Sequence, residues 1–101
     1  MAQVIWTKLA LSDLDNIHDF IAKESPYYAQ KTIEDLLARV EILESYPESG
    51  RQVPEYIRKD IRELIEGNYR LFYKIGKNAI YIIRAHHAAR NIRGRRKRTN
   101  V

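Results

Sequence analysis

Residues 61–85, IRELIEGNYRLFYKIGKNAIYIIRA, decide the fold. Three short runs rich in β-branched and aromatic residues are separated by turn residues, the pattern of a strand meander. The first run, DIRELIE, leads into Gly67-Asn68, a tight-hairpin signal. YRLFYKI follows, then the loop residues Gly76-Lys77-Asn78, then AIYIIRA. Apolar side chains fall on both faces of these strands, as expected where one face packs on helices and the other lines a partly covered groove.

The register of the last pair decides which side chains share a face, because a slip of one residue inverts the whole set. With an even-numbered loop, Ile75 pairs with Ile80 and Arg70 with Ala85, which puts His87 on the face of Arg70. With a three-residue loop, Ile75 pairs with Ala79, Arg70 faces Arg84, and His86 joins it instead. The even register is the expectation, since it gathers Leu71, Tyr73, Ile75, Ile80 and Ile82 on one core face.

Working outward, residues 2–8 alternate around Val4 and Trp6 and read as a short opening strand. From Leu9 the period becomes helical: Ala10, Leu14, Ile17 and Ile21 form one stripe, with Leu11, His18 and Phe20 beside it. Asp13, Asp15, Asp19 and Lys23 fall on the opposite side. Ser25 and Pro26 supply an N-cap and a first-turn proline. A second helix is predicted from there to about Ser45, carrying Ala29, Ile33, Leu36, Leu37, Val40 and Leu43. Two helices joined by so short a break make an antiparallel hairpin. YPESGRQVPE is then a loop, with two prolines and a glycine between Pro47 and Pro54. The predicted fold is α+β: an N-terminal strand, an antiparallel helical hairpin, and a three-stranded antiparallel meander with the helices on one face.

A chain of 101 residues, 45% hydrophobic, is enough for one core and too short for two. A single domain over residues 1–91 and a basic tail over 92–101 are predicted. Its longest apolar run, Ala79 to Ile83, is far too short to span a membrane. Without cysteine there is neither disulfide nor thiolate metal site, which fits a soluble cytoplasmic protein. Residues 1–66 hold 8 Lys/Arg against 13 Asp/Glu, whereas residues 67–101 hold 10 Lys/Arg and no acid, which accounts for the net charge of +5. That one-signed segment attracts phosphates or an acidic protein partner.

In order and spacing, ALSDLDNIHDFIA, SPYYAQKTI, YPESGRQVPE, IRELIEGNYRLFYKI and IYIIRAHHAARN resemble the RelE/ParE superfamily of bacterial type II toxins over nearly the whole chain. Two activities divide that superfamily. ParE-like members poison DNA gyrase; RelE-like members are ribosome-dependent endoribonucleases that cut mRNA. The long helical hairpin, PESGR and the ending Arg84 to His87 look closer to the ParE-like branch. The strand Ile61-Arg62-Glu63-Leu64 lacks the lysines of the RelE pattern, and no tyrosine follows Tyr81. On the nuclease side, Arg70 falls where RelE-like and YoeB-like nucleases carry arginine, and His86 aligns with the late histidine of the YoeB-like group.

The resemblance thus implies a gyrase-inhibiting toxin, associated with growth inhibition and plasmid stabilisation. A cognate antitoxin would neutralise it, in a toxin dimer or a heterotetramer, with an mRNA interferase as the alternative. If nuclease, the reaction uses no metal: Arg70 stabilises the phosphate, and His86 or His87 acts as acid or base. A metal site is not expected, because adjacent histidines on a strand point to opposite faces and too few other ligands lie near. No cofactor is expected either. Candidate target or nucleic-acid contacts are Arg62, Arg84, Arg90, Arg93, Arg95, Arg96, Lys97 and Arg98. A purely structural Arg70 paired with Glu63, which the Gly67-Asn68 turn puts on the same face, is the competing reading. Tyr27, Tyr28 and Tyr46 are candidate partner surface.

Overall fold

The computed structural model describes residues 2–89. The elements run β1 (Gln3–Trp6), α1 (Lys8–Ala22), α2 (Pro26–Arg39), a 3-10 helix over Val40–Glu44, β2 (Arg51–Gln52), β3 (Ile61–Glu66), β4 (Tyr69–Ile75) and β5 (Ala79–His87). The expected α+β architecture is therefore present, and one strand had not been foreseen. Arg51 and Gln52, inside the predicted loop, pair antiparallel with Glu63 and Arg62. The sheet is five-stranded in the order β1-β5-β4-β3-β2, with β1 parallel to β5 and the other pairs antiparallel.

Local chemistry explains where the helices start. The Thr7 hydroxyl accepts from the Ala10 N–H while donating to the Ile82 carbonyl, so one side chain caps α1 and ties it to β5. The Ser25 hydroxyl accepts from Tyr28 N–H, and Pro26 occupies the first turn of α2, as expected. In the β3–β4 turn Gly67 has φ 56° and pairing resumes at Glu66 opposite Tyr69. Positive φ at the first of two turn residues is the arrangement in which glycine is favoured.

One face of the sheet buries the core. Ala10 and Leu14 of α1 and Leu36, Val40 and Leu43 after them pack on Leu64, Leu71, Tyr73, Ile80, Ile82 and Ala85. Leu71, Tyr73, Ile80 and Ile82 belong to the core face anticipated from the even register, and Ile75 packs against it. The opposite face carries a smaller cluster of Val53, Ile61 and Phe72, with Ile83 against it.

Candidate functional site

The register of β4 against β5 changes along the pair. Near the turn Ile75 pairs with Ile80 and Tyr73 with Ile82, as the even loop requires. Between Phe72 and Tyr73 the register shifts: Phe72 pairs with Arg84, and Ile83 is the extra residue of a β-bulge. Beyond it Leu71 faces Ala85, Arg70 faces His86 and Tyr69 faces His87. The expectation that His87 shares the face of Arg70 is thereby corrected. His86 does so, because the inserted residue inverts the faces of β5 beyond the bulge and brings His86, not Arg84, opposite Arg70.

On the second face of the sheet Arg70 of β4 is enclosed by Glu63 of β3 and by Glu55 of the loop before it. Its side chain is almost fully buried, with the residue 7% exposed. Arg70 Nη1 and Nη2 donate to the two Glu55 carboxylate oxygens at 3.0 and 2.9 Å. Arg70 Nε donates to Glu63, the partner foreseen from the hairpin. Glu63 also accepts from Arg51 Nε across the short β2–β3 pair. The hydrogen bonds from Arg70 to Glu55 and Glu63 outweigh its burial and hold the guanidinium above its ordinary pKa. Its carbon lies 4.8 Å from the Phe72 ring centroid, a cation–π contact. His86, 8% exposed, meets the same ring edge-on at 5.7 Å. Tyr56 approaches Phe72 at 6.5 Å.

Arg84 is committed elsewhere. Its Nε and Nη2 donate to Asp13 at 2.8 and 3.0 Å, and the Ala85 N–H donates to the same carboxylate at 2.9 Å. Asp13 had been placed on the solvent side of α1; it is buried. The reason is that β1 ends at Trp6 opposite Ile82, leaving the next part of the β5 edge to be covered by α1, where only a side-chain acceptor can meet Ala85. Burial pushes the Asp13 carboxyl up, but the hydrogen bonds from Arg84 and Ala85 and the Arg84 charge prevail, so it titrates below the ordinary aspartate range. Phe20, expected beside the helical stripe, is 69% exposed.

Arg62 lies on the helix face of the sheet, opposite Tyr73, and its Nη1 donates to the Gly50 carbonyl at 2.9 Å. Tyr73 completes this corner by accepting from Gly50 N–H at 2.9 Å and donating to the Pro47 carbonyl at 2.8 Å. Burial raises the Tyr73 phenol above its ordinary pKa. Gly50 is required here: a Cβ would stand 2.5 Å from the Glu63 carbonyl and 2.6 Å from the Tyr73 hydroxyl. The PESGR motif thus anchors the loop. His87 lies edge-on to Tyr69 at 5.3 Å, and its Nδ1 accepts from Ala89 N–H.

Of the site residues named from sequence, the fold sets Arg70 opposite His86; Arg84, His86 and His87 line one cavity with Asp13 and Tyr69, and Arg62 lies apart at the Gly50 corner. Arg90, Arg93, Arg95, Arg96, Lys97 and Arg98, with the boundary between residues 91 and 92, lie outside the described residues. Glu55 and Asp13 were missed. Tyr27, Tyr28 and Tyr46 are exposed. Among the described residues no cluster of three potential metal ligands occurs, and no helix is long and apolar enough to cross a membrane.

Comparison with known proteins now bears on this arrangement. The family model for the ParE toxin of the parDE type II toxin–antitoxin system matches residues 4–92. The chain belongs to the ParE toxin family. It is therefore a toxin of the RelE/ParE superfamily of type II systems. A curated relative, Toxin RelE2 of Caulobacter vibrioides, is 37% identical over 90 residues, spanning 89% of this chain and 99% of its own. Two solved structures share the fold. A chain of the chromosomal ParDE system from P. aeruginosa superposes with TM-score 0.71 at 24% identity, covering 86% of this chain and 96% of that one. A chain of the RelBE2 toxin–antitoxin complex from Mycobacterium tuberculosis gives 0.55 at 23% identity, covering 88% and 93%.

Proposed function

We propose that this ParE-family chain acts in the cytoplasm by binding and inhibiting DNA gyrase, without cutting nucleic acid, and that a cognate antitoxin neutralises it. The supporting observation is the state of Arg70. Cleavage of an RNA phosphodiester needs positive charge free to meet the phosphate. On this face of the sheet the Arg70 fork is filled by Glu55, its Nε side by Glu63, and Arg51 by Glu63 as well. Two arginines thus face two glutamates, and this face carries little net charge for a transition state.

The antitoxin assignment draws on the two structural neighbours, both taken from toxin–antitoxin systems. Exposed Tyr27, Tyr28 and Tyr46 offer aromatic contacts for such a partner, and the basic residues Arg90 to Arg98 suit an acidic segment of it. A toxin dimer or a heterotetramer with antitoxin is the expected assembly.

The second reading is a ribosome-dependent mRNA endoribonuclease. It is favoured by His86 standing opposite Arg70 and by the similarity to Toxin RelE2. In that reading Arg70 holds the scissile phosphate and His86 serves as acid or base, with His87 displaced to the helix face of the sheet. Purified chain assayed in parallel for inhibition of gyrase supercoiling and for mRNA cleavage on programmed ribosomes separates the two. Supercoiling inhibition with intact mRNA is the expected result. Cleavage that disappears in Arg70→Ala overturns it.

A further inference from the structure

β5 is nine residues long and β1 only four, so the strand cover on that side of the sheet ends at Ile82. From Arg84 to His87 the β5 edge has no strand beside it among the described residues; the Asp13 carboxylate meets one amide there, that of Ala85. Opposite this edge α1 presents Asp13, Asn16, Ile17 and Phe20, whose spacing puts them on one face of the helix. Edge and helix enclose a cavity of about 540 Å³, with Tyr69 and Ile17 in its lining and Phe20, 69% exposed, beside them. An unpaired strand edge next to exposed apolar surface is what proteins cover with further chain.

The chain itself arrives at this cavity. β5 ends at His87, residues 88–89 form a turn, and Ala89 lines the cavity. The turn is pinned at both positions: Ala88 N–H donates to the Asn68 carbonyl at 2.6 Å and Ala89 N–H to His87 Nδ1 at 3.2 Å. After Ala89 comes RNIRGRRKRTNV, in which Ile92 and Val101 are the apolar residues. Three residues of extended chain, about 10 Å, separate Ile92 from Ala89. The rise from Asp13 to Phe20 along α1 is also about 10 Å, so Ile92 reaches the whole cavity. The match to the ParE toxin family runs to residue 92 and stops before the arginine-rich end. Charge points the same way: Asp15 and Asp19 are exposed on α1 beside the cavity, and the basic residues from Arg90 to Arg98 are of opposite sign.

We propose that this groove is the dock for the chain's own continuation: residues 90–93 run back along the free edge of β5, Ile92 fills the cavity against Ile17 and Phe20, and the arginines that follow are held over Asp15 and Asp19. The dock closes the open edge of the sheet and makes residues 90–93 part of the domain. It also regulates the basic run, which meets a phosphate or an acidic partner only in competition with two aspartates of its own chain. It stands or falls independently of gyrase.

The test is nuclear magnetic resonance on the full chain, native and as Ile92→Ser. In the native chain the Ile92 methyl groups should show cross-relaxation to the Phe20 ring and to Ile17. Alternate residues of a strand direct their N–H groups to the same side, so the His87 amide faces the same edge as that of Ala85. Its hydrogen exchange should be about tenfold faster in Ile92→Ser, as for a local opening made easier. Ile92 methyl groups without contact to Phe20 or Ile17 overturn the dock, and this reading needs no variant to fold. Equal His87 exchange in the native chain and folded Ile92→Ser overturns it as well. Contacts that cross between labelled and unlabelled molecules in a mixed sample overturn it in favour of a second copy. Contacts from Val101 in place of Ile92 overturn the choice of segment. The carboxyl signals of Asp15 and Asp19 should shift between native chain and Ile92→Ser at low salt and less so at high salt; unmoved signals overturn the placement of the arginines.

Discussion

Replacing Asp13 by alanine should unfold this protein more readily than replacing any other acidic residue of α1. The carboxylate accepts three hydrogen bonds, two from Arg84 and one from the Ala85 N–H. The last matters most, because Ala85 is only 3% exposed and its amide has no water to turn to. An orphaned buried N–H costs about 1–3 kcal/mol. The Arg84 side chain is 31% exposed and can be rehydrated, so losing that pair adds only about 0.5–1 kcal/mol. A total of about 3 kcal/mol corresponds to a fall in Tm of roughly 15 °C for a domain of this size. Asp13→Asn retains an acceptor for Ala85 and should lose only about 1 kcal/mol. The sign of the pH effect follows from the depressed native pKa of Asp13. Its stabilisation is complete above the unfolded value of about 3.9 and is lost as pH falls through the lower native one. Urea denaturation at pH 7, and again below pH 4, measures both effects. A loss under 0.5 kcal/mol for Asp13→Ala, or equal losses for the alanine and asparagine variants, would refute the reasoning.

Three further predictions follow from the geometry. Gly50→Ala drives a methyl group into the Glu63 carbonyl and the Tyr73 hydroxyl, and should cost about 2–3 kcal/mol by chemical denaturation, against under 0.5 kcal/mol if the PESGR corner simply moves aside. Ser25→Ala removes the α2 cap and should cost about 1 kcal/mol, most visible as loss of helical circular dichroism on heating. His86→Ala should destabilise by about 1–2 kcal/mol through lost packing on Phe72, whereas His87→Ala should cost less than half as much; the reverse order in thermal melts contradicts the bulge register.

The helical hairpin and the meander were legible because their signals are local. Ser25-Pro26 and Gly67-Asn68 act on the backbone within a few residues, and apolar periodicity marks the faces that bury. The core face of β4 and β5 was legible for the same reason. What escaped were features set by long-range geometry. The bulge at Ile83 leaves no mark except that Ile82 and Ile83 are adjacent and both apolar, which an unbroken strand also allows. Helical spacing sent Asp13 to solvent, and nothing local reveals that an acceptor is needed by an amide 72 residues away. Glu63 was paired with Arg70 from the hairpin alone, whereas Glu55 reaches it from a loop whose path no periodicity encodes. The two-residue β2 is too short to show a pattern. Arg70, His86 and Glu63 were thus visible in the sequence, and Glu55, which fills the Arg70 fork, was not.

The most direct measurement is a side-by-side assay of one purified preparation, on gyrase supercoiling and on mRNA bound to programmed ribosomes. A ParE-family chain whose Arg70 is clamped by Glu55 and Glu63 should inhibit supercoiling and leave the mRNA intact. Cleaved mRNA with unimpaired supercoiling, abolished by Arg70→Ala, would contradict that account.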